Sequence, residues 1–155
     1  AGALAMPVQK EVFFTMGEEG SFVNGTRLNV TPTSIKDSLI ACGFSEGYAD
    51  KDSRRREYEN FGRVNDMSRG CMRTGSAATN ISYVAAGRFQ AAYGIDNKMW
   101  DVAGAIAVAL GAGCSVYTDR KERSFNVSYV VGAPGVSEEL VKIVHSGKLA
   151  ELQPL

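Results

Sequence analysis

One carboxylate, Asp101, stands at a position where metal chemistry is possible. It follows Trp100 and comes at the start of a run of small and apolar residues, 102–113, that is typical of a buried helix. In the first turn of a helix, unpaired backbone N–H groups and the helix dipole favour a negative charge. A capping role would explain Asp101 without any function, because Asp is a preferred residue at helix N-termini. Carboxylate oxygen is also what Mg²⁺ prefers, so Asp101 is equally a candidate cation ligand.

A second junction of the same kind lies earlier in the chain. Gly75 and Ser76 read as a tight turn and an N-cap that lead into a helix at residues 79–86. In layered α/β sheets, ligands bind beyond the strand ends, where loops meet helix N-termini. Both junctions occupy such a place, so we expect Asp101 to face a pocket close to Gly75 and Ser76.

The elements that must position these residues follow from hydrophobic pattern and turn chemistry. Residues 1–30 predict an antiparallel meander, because Asn24 and Gly25 form the strongest two-residue hairpin signal and strand-like segments flank it. Further strands are predicted within 38–41, 67–74, 89–93, 114–117 and 124–131, and loops over 94–98 and 119–123. Helices are predicted over 35–37, 48–61, 79–86 and 100–110, and from a cap at Ser137 to about His145. The alternation of strand and helix in the second half argues for a layered α/β sheet.

Composition narrows the class of protein. The chain has 155 residues, is 45% hydrophobic and carries zero formal net charge, so bulk electrostatics does not support a nucleic-acid or anionic-membrane partner. No apolar run reaches the roughly 18 residues that a membrane helix needs, and no signal peptide is visible. Three scattered cysteines fit reduced thiols in the cytoplasm better than a disulfide frame. The single His145 excludes a His-rich metal cluster.

Four sequence blocks carry a resemblance to a known family. They are GEEGSFVNG at residues 17–25, RTGSAA at 73–78, VAAGR at 84–88 and WDVAGA at 100–105. In this order and spacing, the chain resembles the C-terminal half of the inositol monophosphatase family, which consists of lithium-sensitive, magnesium-dependent sugar phosphatases. The resemblance implies the C-terminal part of the inositol monophosphatase/fructose-1,6-bisphosphatase-like fold. It implies an N-terminal sheet to which residues 1–30 belong and a C-terminal α/β domain over residues 31–155.

The resemblance also implies site residues. Asp101 would be a metal-ligating carboxylate that also lies near the substrate, and Gly75, Ser76 and Ala77 would line the sugar pocket. Mg²⁺ would be the cofactor, inhibition by lithium is expected, and the substrate would be a small phosphorylated sugar or polyol. The pocket acid of the family, seven residues before the ligand Asp, is Gly94 here, with Asp96 as a possible substitute. This departure argues against myo-inositol monophosphate and leaves sugar bisphosphates and nucleotide 3′-phosphates open.

Two functions remain open from the sequence. The acidic pair and the DPIDGT block of the family are expected upstream of Ala1, so the chain would carry only part of an active site. It is then either the C-terminal portion of a phosphomonoesterase, inactive alone, or a non-enzymatic fragment or split half that binds a complementary N-terminal chain. In both cases the meander would have an open edge, which predicts pairing through residues 1–30 with a second copy or an N-terminal half.

Overall fold

The first part of the chain builds an antiparallel sheet, here called the meander sheet. The computed structural model describes residues 1–44, 50–119, 124–144 and 152–155. The strands of the meander sheet lie in chain order: β1 (Gly2–Met6), β2 (Glu11–Thr15), β3 (Ser21–Val23) and β4 (Thr26–Arg27). The predicted hairpin joins β3 to β4, and Asn24 and Gly25 have φ values of 48° and 83°, as a type I′ turn requires. Strand β4 ends at Arg27, and beyond it the Val30 N–H donates to the Ala112 carbonyl, 3.1 Å away, outside the meander sheet.

The second sheet, here called the mixed sheet, has six strands in the order β10, β8, β9, β7, β5, β6. Their bounds are β5 (Leu39–Gly43), β6 (Gly70–Met72), β7 (Ala91–Lys98), β8 (Ser115–Asp119), β9 (Asn126–Gly132) and β10 (Leu152–Pro154). Strands β6, β5 and β7 run parallel, whereas β9, β8 and β10 pair antiparallel with their neighbours. The meander followed by a layered α/β arrangement confirms the predicted fold class.

Four α-helices form two layers around the mixed sheet: α1 (Lys51–Met67), α2 (Ala77–Ala85), α3 (Met99–Gly111) and α4 (Val136–Val144). Helices α2 and α3 lie between the two sheets, where Phe13 of β2, Val108 of α3 and Val131 of β9 share one fully buried core. Helices α1 and α4 cover the other face of the mixed sheet, around Ile40, Val64 and Leu140. Within the described ranges no helix is long and apolar enough to cross a membrane.

The loop predicted at residues 94–98 is wrong, because this stretch continues β7. Gly94 pairs with Tyr129 and Asn97 pairs with Val127, so the strand bulges between them. The bulge absorbs residues that usually make turns: Asp96 takes a φ of 54°, and a Cβ on Gly94 would lie 2.6 Å from Cε1 of Tyr129. Turn-forming residues inside a bulged strand look like a loop in sequence.

Other boundaries also differ from the predicted ones, and they include the start of α2, which is Ala77 rather than residue 79. Helix α1 extends to Met67 rather than stopping at residue 61, and its Val64 is fully buried in the core on that face of the mixed sheet. Helix α4 begins at Val136, so Ser137 lies inside the helix and its hydroxyl donates to the Ala133 carbonyl at 3.2 Å instead of capping. Residue 119 belongs to β8. The rest of the predicted 119–123 loop, the start of the predicted 48–61 helix and His145 lie outside the described residues. The division of the chain at residue 30 into two domains stays a prediction.

Candidate active site

A cavity of about 520 Å³ opens where the parallel strands of the mixed sheet end. Strands β5, β6 and β7 run in the same direction, so their carboxyl ends meet at one edge. Helices α2 and α3 begin at this edge, directly after the connection from β6 and after β7. The cavity is lined by Cys42, Gly43, Phe44, Arg73, Gly75, Ser76, Ala77, Ala78, Asn80, Asn97, Trp100 and Asp101. The structure therefore brings Asp101 together with Gly75, Ser76 and Ala77.

The wall at the start of α2 is held by local hydrogen bonds. Ser76 is the N-cap residue, and its hydroxyl accepts from the Thr79 N–H at 3.3 Å. The Thr74 hydroxyl donates to Oδ1 of Asn80 at 2.6 Å and accepts from the Ser76 N–H at 3.3 Å. Gly75 has a φ of 89°, a conformation that glycine adopts without strain. This wall thus presents a capped helix N-terminus, which favours negative charge.

Asp101 occupies the first turn of α3 but is not its cap. The N-cap residue is Lys98, and Asp101 is the third residue of the helix. Its side chain is exposed and lines the cavity. The position suits a carboxylate because of the helix dipole, and it also leaves the carboxylate oxygens available to a ligand.

Asp96 is not among the residues that line the cavity. It is half-buried in the β7 bulge, and its backbone N–H donates to the Ser128 hydroxyl at 3.3 Å. Its predicted role in substrate binding stays a prediction. Gly94, which stands where the family is expected to carry its pocket acid, has no room for a side chain. A Cβ there would lie 2.6 Å from both Nδ2 of Asn97 and Cε1 of Tyr129.

Sequence reasoning missed Asn97, which lines the cavity one residue after Asp96. Its Nδ2 atom is buried and has no hydrogen-bond partner among the described residues. A buried donor without a partner is costly, so Asn97 offers a donor to a bound molecule. The bulge that turns Asn97 rather than Asp96 toward the cavity could not be read from composition, since it depends on the pairing of β7 with β9.

Arg73 is the second residue that the predictions left without a role. Its guanidinium lies 4.9 Å from the centroid of the Phe44 ring at the cavity wall. A hydrogen bond with the Cys71 thiol lowers the pKa of Cys42, burial of the thiol opposes this effect, and the positive charge of Arg73 adds a smaller lowering. Arg73 and Asp101 put one positive and one negative charge on the lining. The sequence already indicated a place for Arg73 near the site, because this residue opens the RTGSAA block.

A complete magnesium centre is not formed by the described part of the chain. In that part, no group of three His, Cys, Asp or Glu side chains is placed to hold a metal ion. Mg²⁺ demands near-octahedral oxygen coordination and is usually held by one or two carboxylates together with substrate phosphate. Asp101 fits as one such ligand, and the remaining carboxylates of a two-metal site would have to come from elsewhere.

Comparison with known proteins decides the family. Residues 1–149 match the model of the inositol monophosphatase family. This chain belongs to the inositol monophosphatase family. It is 30% identical over 148 residues to an inositol-1-monophosphatase of Mesorhizobium japonicum, an alignment that covers 93% of the chain and 54% of the relative. It is 29% identical over 145 residues to the Nus factor SuhB of Pasteurella multocida, covering 90% of the chain and 53% of the relative.

Solved structures of the family have the same fold. The extragenic suppressor protein SuhB of Bartonella henselae superposes with a TM-score of 0.80 at 24% identity, covering 94% of this chain and 57% of that one. SuhB of Mycobacterium tuberculosis superposes with a TM-score of 0.75 at 27% identity, covering 88% and 54%. This family member therefore spans about half the length of the relatives it matches. Membership supports a phosphatase-type function at the level of the family, while two relatives, of Pasteurella multocida and Pseudomonas aeruginosa, are named Nus factor SuhB.

Proposed function

We propose that this chain is the portion of a magnesium-dependent phosphomonoesterase that supplies Asp101 as a metal ligand and substrate contact. One observation carries the proposal: Asp101, Gly75, Ser76 and Ala77 line the same cavity, at the point where α2 and α3 begin. Two helix N-termini at one cavity favour an anion, and a carboxylate beside them favours a hard cation that binds the same anion.

The residues of the chain have distinct tasks in this proposal. Asp101 supplies one carboxylate to the metal and accepts a hydrogen bond from a substrate hydroxyl. The capped start of α2, with Gly75 and Ser76, orients the substrate, and the Asn97 amide donates to it. Bound Mg²⁺ would supply charge neutralisation of the phosphate and activation of water. Arg73 adds a positive charge at the rim, which favours the entry of an anionic substrate.

The substrate is proposed to be a small phosphorylated sugar or polyol. A cavity of about 520 Å³ lies in the usual range for small-molecule sites. The closed space at Gly94 supports substrates other than myo-inositol monophosphate, and sugar bisphosphates and nucleotide 3′-phosphates remain the alternatives. The substitute acid Asp96 would contribute only if the β7 bulge rearranged.

A second candidate function is a non-enzymatic one, in which the chain is a split half or fragment that binds a complementary N-terminal chain. The single carboxylate on the described cavity lining supports this alternative, and relatives named Nus factor SuhB keep a non-catalytic role open for the family. In either case we place the chain in the cytoplasm, since Cys42, Cys71 and Cys114 are free thiols.

The test is release of inorganic phosphate by the purified 155-residue chain, with and without Mg²⁺. We expect no turnover above the metal-free blank on sugar phosphates, sugar bisphosphates or nucleotide 3′-phosphates. Asp101→Asn, which keeps size and removes charge, should then change nothing. Robust magnesium-dependent release that Asp101→Asn abolishes and lithium inhibits would contradict the incomplete site and leave the phosphatase assignment intact.

A further inference from the structure

Two cysteines lie close together on the face of the mixed sheet that α1 and α4 cover. In the parallel register of β5 with β6, Cys71 pairs with Ile40, and Cys42 follows Ile40 by two residues. Side chains two residues apart on a strand point to the same face, and both cysteines belong to the core around Ile40. The two thiols are free and share a hydrogen bond. Cys42 also lines the cavity of the candidate active site, although the proposed function uses neither thiol.

The hydrogen bond and the charge beside it make the two thiols chemically different. The hydrogen bond from Cys71 lowers the pKa of Cys42, burial opposes this effect, and the positive charge of Arg73 adds a smaller lowering. The same hydrogen bond, reinforced by burial, raises the pKa of Cys71. Cys42 is therefore the sulfur that ionises first, and the thiolate is the form of cysteine that reacts with oxidants.

The hydroxyl of Tyr93 also favours a thiolate at Cys42. Tyr93 pairs directly with Cys42 in the register of β5 with β7, so the two side chains share a face. The hydroxyl is buried and makes no hydrogen bond within the described part of the chain. A buried donor without an acceptor is costly, and a thiolate at Cys42 provides an acceptor, which further lowers the pKa of this thiol. An ionised Cys42 thus has two donors, the Cys71 thiol and the Tyr93 hydroxyl.

Access to Cys42 favours a small oxidant. Cys42 has no surface exposed to water, whereas Cys71 is half-buried. Because Cys42 lies in the wall of a cavity of about 520 Å³, a small movement of the wall admits a molecule little larger than water, such as hydrogen peroxide. Redox-sensing cysteines combine a low pKa with a neighbouring cysteine that resolves the oxidised form. Cys42 has both features.

We propose that Cys42 and Cys71 form a peroxide-sensitive thiol pair that closes to a disulfide beside the candidate active site. The Cys42 thiolate attacks one oxygen of hydrogen peroxide, the O–O bond breaks, and hydroxide leaves, so that Cys42 becomes a sulfenic acid. The hydroxide becomes water by taking up the proton that Cys42 had released. The Cys71 sulfur then attacks the Cys42 sulfur, the S–O bond breaks, and a second water leaves with the proton of Cys71. The two thiols lose two electrons in total, and the peroxide gains them.

Closing the disulfide requires β6 to move. In a regular sheet, a step of one strand across and two residues along separates two Cα atoms by roughly 8 Å, whereas a disulfide allows at most about 6.8 Å. Strand β6 has three residues and lies at the end of the mixed sheet in the described ranges, so it moves more easily than the central β5. Arg73 follows β6 directly and leads into Gly75 and Ser76. The disulfide therefore displaces this wall of the cavity.

The experiment treats the purified, fully reduced 155-residue chain with a modest excess of hydrogen peroxide and maps its peptides by mass spectrometry without reduction. We expect a cross-linked pair of peptides that contains Cys42 and Cys71 and that dithiothreitol separates. Cys42 should be oxidised at least about tenfold faster than Cys114, because burial raises the pKa of Cys114 to about 12. In Cys71→Ser, dimedone should label Cys42 as the trapped sulfenic acid. Cys114→Ser is the matched control and should leave the cross-link unchanged.

Amide hydrogen exchange tests the displacement of the wall. Residues 73–79 should exchange at least about tenfold faster in the cross-linked chain than in the reduced chain, because the displaced wall loses the hydrogen bond from the Thr79 N–H to the Ser76 hydroxyl. A cross-link that leaves this exchange unchanged would overturn the displacement and leave the thiol pair supported.

Two results would overturn the thiol pair itself. One is oxidation of Cys114 ahead of the pair, and the other is sulfenic acid at Cys71 in Cys42→Ser with none at Cys42 in Cys71→Ser. Thermal unfolding of each variant shows that it is folded before peroxide is added. Neither peptide mapping nor hydrogen exchange measures phosphate release, so both results are independent of the proposed function.

Discussion

The contact between β1 and α3 makes a sharp prediction about two glycines in helices. Replacing a helical glycine by alanine stabilises an unconstrained helix by up to about 1 kcal/mol. Gly62, inside α1, has no atom within 4 Å of the position of a Cβ, so Gly62→Ala should gain most of that amount. Gly104, inside α3, would place its Cβ 2.9 Å from the backbone oxygen of Ala3. A backbone atom cannot rotate away as a side chain can, so β1 or α3 has to move.

Overpacking and the gain in helix propensity have opposite effects on the free energy of unfolding of Gly104→Ala. Overpacking of a tight contact costs about 1–3 kcal/mol, which exceeds the helix gain of about 1 kcal/mol. Gly104→Ala should therefore lower the free energy of unfolding by up to about 2 kcal/mol, and the two variants should differ by about 1–3 kcal/mol. Urea unfolding followed by far-ultraviolet circular dichroism measures both. If Gly104→Ala stabilised the chain as much as Gly62→Ala, the close packing of β1 on α3 would be refuted.

Three further predictions concern an ion pair, a cap and a thiol. Arg88 donates to both carboxylate oxygens of Glu11, and this hydrogen bonding lowers the pKa of Glu11 from its ordinary 4.5. A double-mutant cycle with Glu11→Gln and Arg88→Gln should therefore give a coupling free energy of about 0.5–1 kcal/mol. Because the folded pKa is the lower one, this stability is present above pH 4.5 and is lost as the pH falls through the folded value, and a coupling that persisted at pH 2 would contradict the assignment. Ser76→Ala should cost about 1 kcal/mol, measured by urea unfolding, because it removes the acceptor for the Thr79 N–H; Ser76→Gly should cost only a few tenths. Burial raises the pKa of Cys114 to about 12, so iodoacetamide at pH 8 should label this thiol in urea but not in the native chain, as measured by mass spectrometry. Labelling of the native chain as fast as in urea would argue against the burial of Cys114.

Local signals were enough to predict several elements. A type I′ turn requires positive φ at both central residues, and Asn24 and Gly25 adopt it readily. The β3–β4 hairpin could therefore be predicted from these two residues alone. Ser76 and the apolar residues after it place the start of α2, and the small and apolar run after Trp100 gives α3. These features depend on residues near in sequence, so their physics can be read from short stretches.

Features that depend on distant pairing could not be predicted. The bulge in β7 exists because β9 pairs with it, and the bulge decides that Asn97 rather than Asp96 reaches the cavity. One local feature also escaped prediction: the cap expected at Ser137 lies inside α4, which begins at Val136, and its hydroxyl donates to the carbonyl of Ala133 four residues earlier.

Phosphate release by a complex of the chain with the part of the Mesorhizobium inositol-1-monophosphatase that it does not match tests the central claim most directly. The assay compares the chain alone, the complex, and the complex carrying Asp101→Asn, each with and without Mg²⁺, on the same panel of sugar phosphates and nucleotide 3′-phosphates. We expect release by the wild-type complex with Mg²⁺, and none by the chain alone. We also expect a loss of at least about a hundredfold for Asp101→Asn, since the charge proposed to bind the metal is removed from the site. Release by the complex that is unchanged in Asp101→Asn would contradict the claim that the cavity beside Asp101 is the active site.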